Sequence, residues 1–327
     1  MTRDKKNYSN PVQATFTGIS NLFKKRSRVG TLLPNERLDG KKILITGSSS
    51  GLGFATAIEL AKLGGEVIMA VRSGFPEKAE EVKQQSGSDK VFIHQVDLSD
   101  LDSIKNLVNE IKNQHKTIDI VICNAAVVAK QSIKTKSGLE QMFMVNYLAK
   151  FALIDLLIKN NCIKTENNQL PRIIFVTSES HRNSKIFNWD DFGKFIPHNI
   201  GKTVELYGYY KLLLVTYARE LSRRLNEDST NYSVFALCPG PVNSNIAREA
   251  PLIFKPLLRL VFSIFFSSPK KASEPVLYLA ASGDEEGKTF DYLFLMERKS
   301  IDDKAENAEN GKKLWLLSEE LLTSLNF

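Results

Sequence analysis

The sequence predicts an α/β protein, a doubly wound parallel sheet in a single domain, and three observations point there. Short, wholly apolar runs rich in Ile and Val alternate with longer amphipathic stretches from Gly40 to Asn146. A glycine-rich turn follows the first of those runs directly. The same strand-then-helix order returns after Pro171. Continuous apolar strands belong to sheets covered on both faces, and strands separated by helices pair in parallel.

Taken in order, the spacing predicts a strand at Lys42–Thr46, a helix over 52–63 and a strand at Glu66–Val71. A helix over 76–85, a strand at Val91–Val96, a helix over 100–114 and a strand at Ile118–Cys123 follow. An apolar-periodic helix covers about Gly138 to Lys159, then come a strand from Arg172 to Ser178, a helix from Tyr207 to about Arg224 and a strand at Ser233–Cys238. Ser268-Pro269 opens another helix, Phe290–Leu295 is a last strand, and a helix around Trp315 ends the chain. This is a Rossmann-like order, in which ligand sits at the carboxyl ends of the strands.

With 327 residues, 43% hydrophobic and 25% charged, the chain has ordinary globular composition and ample core material. It contains no internal repeat and no unbroken apolar run of the roughly 20 residues that span a bilayer. Cys123, Cys162 and Cys238 are widely spaced and odd in number. They read as buried reduced thiols in an intracellular, reducing compartment rather than a disulfide framework. Four scattered histidines and no paired cysteines make a metal site an unsupported reading. The net charge is +7, and residues 1–42 account for all of it with ten Lys/Arg against three Asp/Glu. The remaining body is balanced, which argues against a nucleic-acid surface.

Residues 1–39 form a basic N-terminal extension ahead of a domain spanning 40–327. In it, Val12, Phe16, Ile19 and Phe23 recur at helical spacing and run into Lys24-Lys25-Arg26 and Arg28. That pattern suits an amphipathic helix in peripheral contact with an anionic membrane. It also suits a cleaved organellar targeting peptide, or an arm packed on the body or a sister subunit.

The first strand leads into Thr46-Gly47-Ser48-Ser49-Ser50-Gly51-Leu52-Gly53 and then a helix. A pyrophosphate reaches the positive end of that helix only if the backbone comes close, and each glycine removes a Cβ from the approach. Between strand and helix, such a turn points to a dinucleotide. The second strand ends in Arg72. A ribose 2′-hydroxyl calls for a carboxylate at that place and a 2′-phosphate for a cation, so Arg72 favours NADP(H). Further on, Tyr207 and Lys211 stand at i, i+4, on one helix face. A phenol near pKa 10 is a poor acid–base catalyst at neutral pH unless a nearby cation favours its anion.

The TGxxxGxG spacing, Asp97-Leu98, Cys123-Asn124-Ala125-Ala126, the mid-helix Asn146, the strand-end Ser178, Tyr207-x-x-x-Lys211 and Pro239-Gly240-Pro241-Val242-Asn243-Ser244 together resemble the short-chain dehydrogenase/reductase superfamily. The resemblance implies a cofactor site of Gly47, Ser49, Ser50, Gly51, Leu52, Gly53, Arg72, Asp97, Leu98, Asn124, Ala125, Tyr207, Lys211, Pro239, Gly240, Val242 and Ser244. It implies a catalytic set of Asn146, Ser178, Tyr207 and Lys211. In that set Tyr207 gives its proton to a carbonyl oxygen and Ser178 polarises it, with Thr177 as competitor. Lys211 tunes Tyr207 and binds the nicotinamide ribose, and a perturbed helix at Asn146 holds a water for proton relay. The sequence departs from the family pattern at Cys123 and Ala126, and at Tyr210, which is expected to alter the pocket wall.

The apolar stretch of about 246–268 occupies the place of the family's substrate lid, with a buried helix or a subunit contact as the plain alternative. RIIFVTSESH, IFNWDDF and the tail from SSPKKAS to LLSEELL narrow the resemblance to retinol dehydrogenase-like reductases. This implies NADP(H)-dependent interconversion of carbonyl and alcohol on a hydrophobic small molecule, and a homodimer through the helices of Asn146 and Tyr207. The rival readings are a non-catalytic NADPH sensor and a membrane-associated scaffold.

Overall fold

A computed structural model describes residues 28–164, 169–184, 186–229, 231–240 and 268–327. The expectations for Val242, Ser244, the stripe from Val12 to Phe23 and the stretch 246–267 lie outside these residues.

The strands are β1 (Lys42–Thr46), β2 (Glu66–Val71), β3 (Val91–Gln95), β4 (Ile120–Cys123), β5 (Arg172–Val176), β6 (Ser233–Cys238), β7 (Phe290–Phe294) and β8 (Glu297–Arg298). They form one sheet in the order β3-β2-β1-β4-β5-β6-β7-β8. All neighbours are parallel except β7 and β8, an antiparallel hairpin too short for periodicity to reveal. The order reverses between β1 and β4, which is where a doubly wound sheet opens its crevice.

The helices are α1 (Gly51–Lys62), α2 (Glu77–Ser86), α3 (Leu101–Gln114), α4 (Gln141–Lys159), α5 (Ile200–Leu225), α6 (Pro269–Ala281), α7 (Asp303–Glu306) and α8 (Ala308–Ser324). Side chains alternate across each strand, so β1 sends Leu44 to one core and Ile43 and Ile45 to the other. The first core lies under α3, α4, α5 and α8; the second lies under α1, α2 and α6.

Three findings modify the expected plan. First, α4 is long and apolar enough to cross a membrane, but 78% of it is buried inside the protein, so it is a core helix. Second, α8 lies across α4 and α5. Trp315 meets Phe151 and Tyr217 with ring centroids 5.0 and 5.8 Å apart, and Tyr147 shares a 2.6 Å hydrogen bond with Ser318. The chain's own C-terminal helix thus packs on both helices through which a homodimer was expected.

Third, residues 29–39 belong to the folded body. Val29 N–H donates to Met296 O, Leu38 N–H to Leu63 O, and Glu36 accepts from the Ser282 hydroxyl and Gly283 N–H. Leu38 is 3% exposed and joins the second core. Truncating a buried Leu to Ala typically costs about 2–5 kcal/mol. Leu38→Ala should lower the urea midpoint by an amount in that range without changing the slope. An unchanged midpoint would place the body's boundary after residue 39.

Candidate active site

The carboxyl edge of the sheet assembles the predicted residues from separate stretches. At the end of β1, Gly47 has φ +68°, and an added Cβ would stand 2.7 Å from Ala125 Cα. At Gly53 an added Cβ would stand 2.4 Å from both Asn124 Nδ2 and Gly47 O. Asn124 closes this contact: its amide donates to Thr46 O and Gly47 O, each at 3.0 Å. Ser50 precedes α1 in extended conformation without capping it, and the first turn of α1 holds no acid. A tight glycine cradle under an uncapped helix N-terminus fits a dinucleotide's pyrophosphate.

Arg72 stands exposed where β2 ends, beside this cradle. Asp97 follows β3 and accepts from the Ser99 N–H and hydroxyl at 2.8 and 2.6 Å. The cap of α3 is Asp100, so Asp97 is not used as one. Leu98 is buried beside it. Ala126, one of the family departures, is exposed.

Asn146 lies fully buried in a π-helical turn, Met144–Leu148, at the middle of α4. Its amide pairs with both the N–H and C=O of Val127 at 2.8 Å. The helix perturbation expected at this position is therefore a widened turn, while the side chain itself holds the loop after β4.

Beyond β5, Ser178 opens a short 3₁₀ turn, Glu179–Asn183, and its hydroxyl accepts from Ser180 N–H at 3.2 Å. The Ser178 side chain stands near enough to the Tyr207 phenol to lower its pKa in part. Thr177 instead turns into the sheet and donates to Leu237 O at 2.9 Å, which removes it as a competitor. Helix α5 starts at Ile200, seven residues ahead of the expected start, because Asn199 caps it by accepting from Gly201 N–H. Gly208 lets α5 approach the 3₁₀ turn, since a Cβ there would meet Ser180 O at 2.8 Å. A glycine inside a helical pattern was the available signal for that contact.

Lys211 is 1% exposed, donates to Val176 O at 3.0 Å and sits 5.5 Å from the Tyr207 ring centroid. Burial pushes its ammonium down to about 7, and the charge on Lys150 adds to the effect. Burial also pushes the Tyr207 phenol above its ordinary value, aided by Cys238 and opposed by the Ser178 side chain, a direction opposite to the lowering expected from a neighbouring cation. Tyr210 is also corrected: it packs against Phe143 and Glu140 in the core instead of lining a pocket wall. Pro239 and Gly240 follow β6, with Gly240 at φ +76°. No group of three or more His, Cys, Asp or Glu among the described residues is placed to hold a metal.

Residues 41–188 match the family model for short chain dehydrogenase. The chain is 33% identical over 304 residues to Retinol dehydrogenase 14 of Homo sapiens, covering 87% of each. The chain belongs to the short-chain dehydrogenase family. It is also 30% identical to Retinol dehydrogenase 13 of Mus musculus, covering 95% of this chain and 92% of that one. The fold is shared with the NADPH-dependent 3-quinuclidinone reductase of Rhodotorula rubra, at a TM-score of 0.60 and 21% identity over 83% of this chain and 97% of that one. Membership makes the protein an NAD(P)-dependent oxidoreductase of the carbonyl/alcohol type.

His181 lies immediately behind the site, its Nδ1–H donating to Ser178 O at 2.7 Å and its ring edge-on to Tyr292. Burial, with Arg182 beside it, pushes its pKa down to about 4. The unfolded chain therefore binds a proton at His181 between about pH 6.5 and 4 that the folded chain does not. This contribution to stability is complete above about 6.5 and is lost as pH falls toward 4. His181→Phe should flatten that part of the stability–pH curve in urea titrations; an unaltered slope would mean the ring is accessible.

Proposed function

We propose that the chain is an NADP(H)-dependent oxidoreductase that interconverts carbonyl and alcohol on an apolar small molecule, a retinoid, steroid or lipid aldehyde. The observation that carries the reading is the close approach of α5 to the turn after Ser178, where a Cβ on Gly208 would meet Ser180 O at 2.8 Å, with Lys211 Nζ 5.5 Å from the Tyr207 ring.

The cofactor would lie against Gly47 and Ser49 to Gly53, with Asp97, Leu98, Asn124 and Ala125 along its adenosine and ribose side. Lys211 would meet its second ribose, and the segment beginning Pro239-Gly240 its carboxamide. When bound, it supplies or accepts the hydride. In the reducing direction Tyr207, kept protonated by burial, donates its proton to the carbonyl oxygen. Ser178 gives the same oxygen a second O–H donor, fixed in advance by the 3₁₀ turn. Lys211 matters once the proton has gone, because an ammonium near the ring stabilises the phenolate left behind. The π-turn at Asn146 holds Val127, and so the loop beneath the reacting groups, in place.

Two features support the finer parts of this reading. Arg72 stands where a ribose 2′-phosphate needs a cation, which favours NADP(H) over NAD(H). Ile200, Val204, Tyr207 and Lys211 share one face of α5, and Ile200 and Val204 are 67% and 66% exposed. Val128, in the loop that Thr203 binds through Ala129 O, is 48% exposed. An apolar strip that leads along the helix to the proton donor suits a hydrophobic substrate. Peripheral attachment through residues 1–27 is part of the same proposal, since such a substrate partitions into membranes.

The test is oxidation of NADPH, with NADH in parallel, by retinal, medium-chain aldehydes and ketosteroids. Tyr207→Phe should lower kcat by about 10²–10⁴-fold and Ser178→Ala by about 10²-fold, both with NADPH affinity retained. Turnover that survives in Tyr207→Phe would remove the phenol from the reaction. Arg72→Glu should raise the Kd for NADPH by about 10–100-fold and leave NADH within a few-fold. Equal loss of both cofactors would take the 2′-phosphate away from Arg72.

A further inference from the structure

Lys150, four residues beyond Asn146 in α4, is 1% exposed and has no part in the chemistry above. Its side chain turns back toward the helix N-terminus, as helical side chains do. The ammonium donates to Val145 O at 2.7 Å and to Ala125 O at 2.8 Å. Val145 belongs to the π-turn, and Ala125 is the residue packed on Gly47 in the cofactor cradle. One buried cation therefore joins the turn that carries Asn146 to the loop beneath the glycines.

Burying an ammonium costs several kcal/mol, and an apolar side chain of similar size is usually at least as stable. A lysine here consequently needs a reason beyond stability. The groups that face it are Cys123 on β4 and Lys211 on α5; Lys211 is faced in turn by Cys238 on β6 and by Tyr207 on its own helix. Burial pushes the two thiols up to about 12 and about 11, so neither supplies a counter-charge at neutral pH.

We propose that Lys150 is a positioning residue of this site, clamping the Asn146 turn to Ala125 and keeping a second cation behind Lys211. The inference rests on the functional reading above only in naming Lys211 and Tyr207 as the reacting pair. Burial brings the Lys150 ammonium down to about 8 and the Lys211 ammonium, beside the Lys150 charge, down to about 7, so the two titrate in the same range.

The test follows the Cε resonances of the two lysines in carbon-labelled protein as pH is varied, without substrate or turnover. A failure of the retinoid or aldehyde reading and a failure of this one are therefore seen separately. In Lys150→Met, which keeps length and apolar stem, the Lys211 curve should move up by about one pH unit because a like charge has gone. The same variant should bind NADPH about tenfold more weakly, with Lys150→Gln, which still donates, recovering part of the loss. An unmoved Lys211 curve in folded Lys150→Met overturns the electrostatic role, and unchanged NADPH affinity overturns the clamp. If neither variant folds, the unsubstituted protein decides: a second inflection in each curve supports the proposal. Two single-step curves near the ordinary lysine value of about 10.4 overturn it.

Discussion

The seam between β1 and β4 holds the molecule's two halves in one register. Thr46 Oγ1 accepts from the N–H groups of Asn124 and Ala125 at 3.1 and 3.2 Å, and the Asn124 amide returns two bonds to Thr46 O and Gly47 O. These partners sit where the strand order reverses, just past Ile45 and Ile122, the last pair of the β1–β4 ladder. Leaving one buried carbonyl unpaired costs about 1–3 kcal/mol. Losing the tie would also free the glycine turn to open and would unseat Ala125, on which Lys150 and the Asn146 turn both depend.

Desolvation shapes the chemistry on the far side of that seam. Removing water disfavours a charged phenolate and a charged ammonium alike, which drives Tyr207 and Lys211 in opposite directions. The same removal of water thus pushes each group toward its uncharged form.

The strands were legible because a buried parallel strand is a run of Ile and Val that little else in a sequence imitates, as in Lys42–Thr46 and Ser233–Cys238, both found as expected. The grouping of Ser178 with Tyr207 and Lys211 was legible because strand-end hydroxyl and i, i+4 helix spacing survive in the chain as short patterns. What stayed hidden depends on distant partners. The early start of α5 rests on one asparagine cap, and β8 on two residues paired with β7. The inward turn of Lys150 rests on two carbonyls, one of them 25 residues away. The covering of α4 and α5 by α8 comes from residues far apart in the chain, 171 positions for Tyr147 and Ser318, whose apolar spacing looks like that of any amphipathic helix.

The path of residues 29–38 has a geometrical consequence. It begins beside Met296, just past the carboxyl end of β7, and runs along α6 to Leu63 at the opposite rim of the sheet. The chain ahead of Arg28 thus joins the body on the same rim as Ser178 and Tyr207.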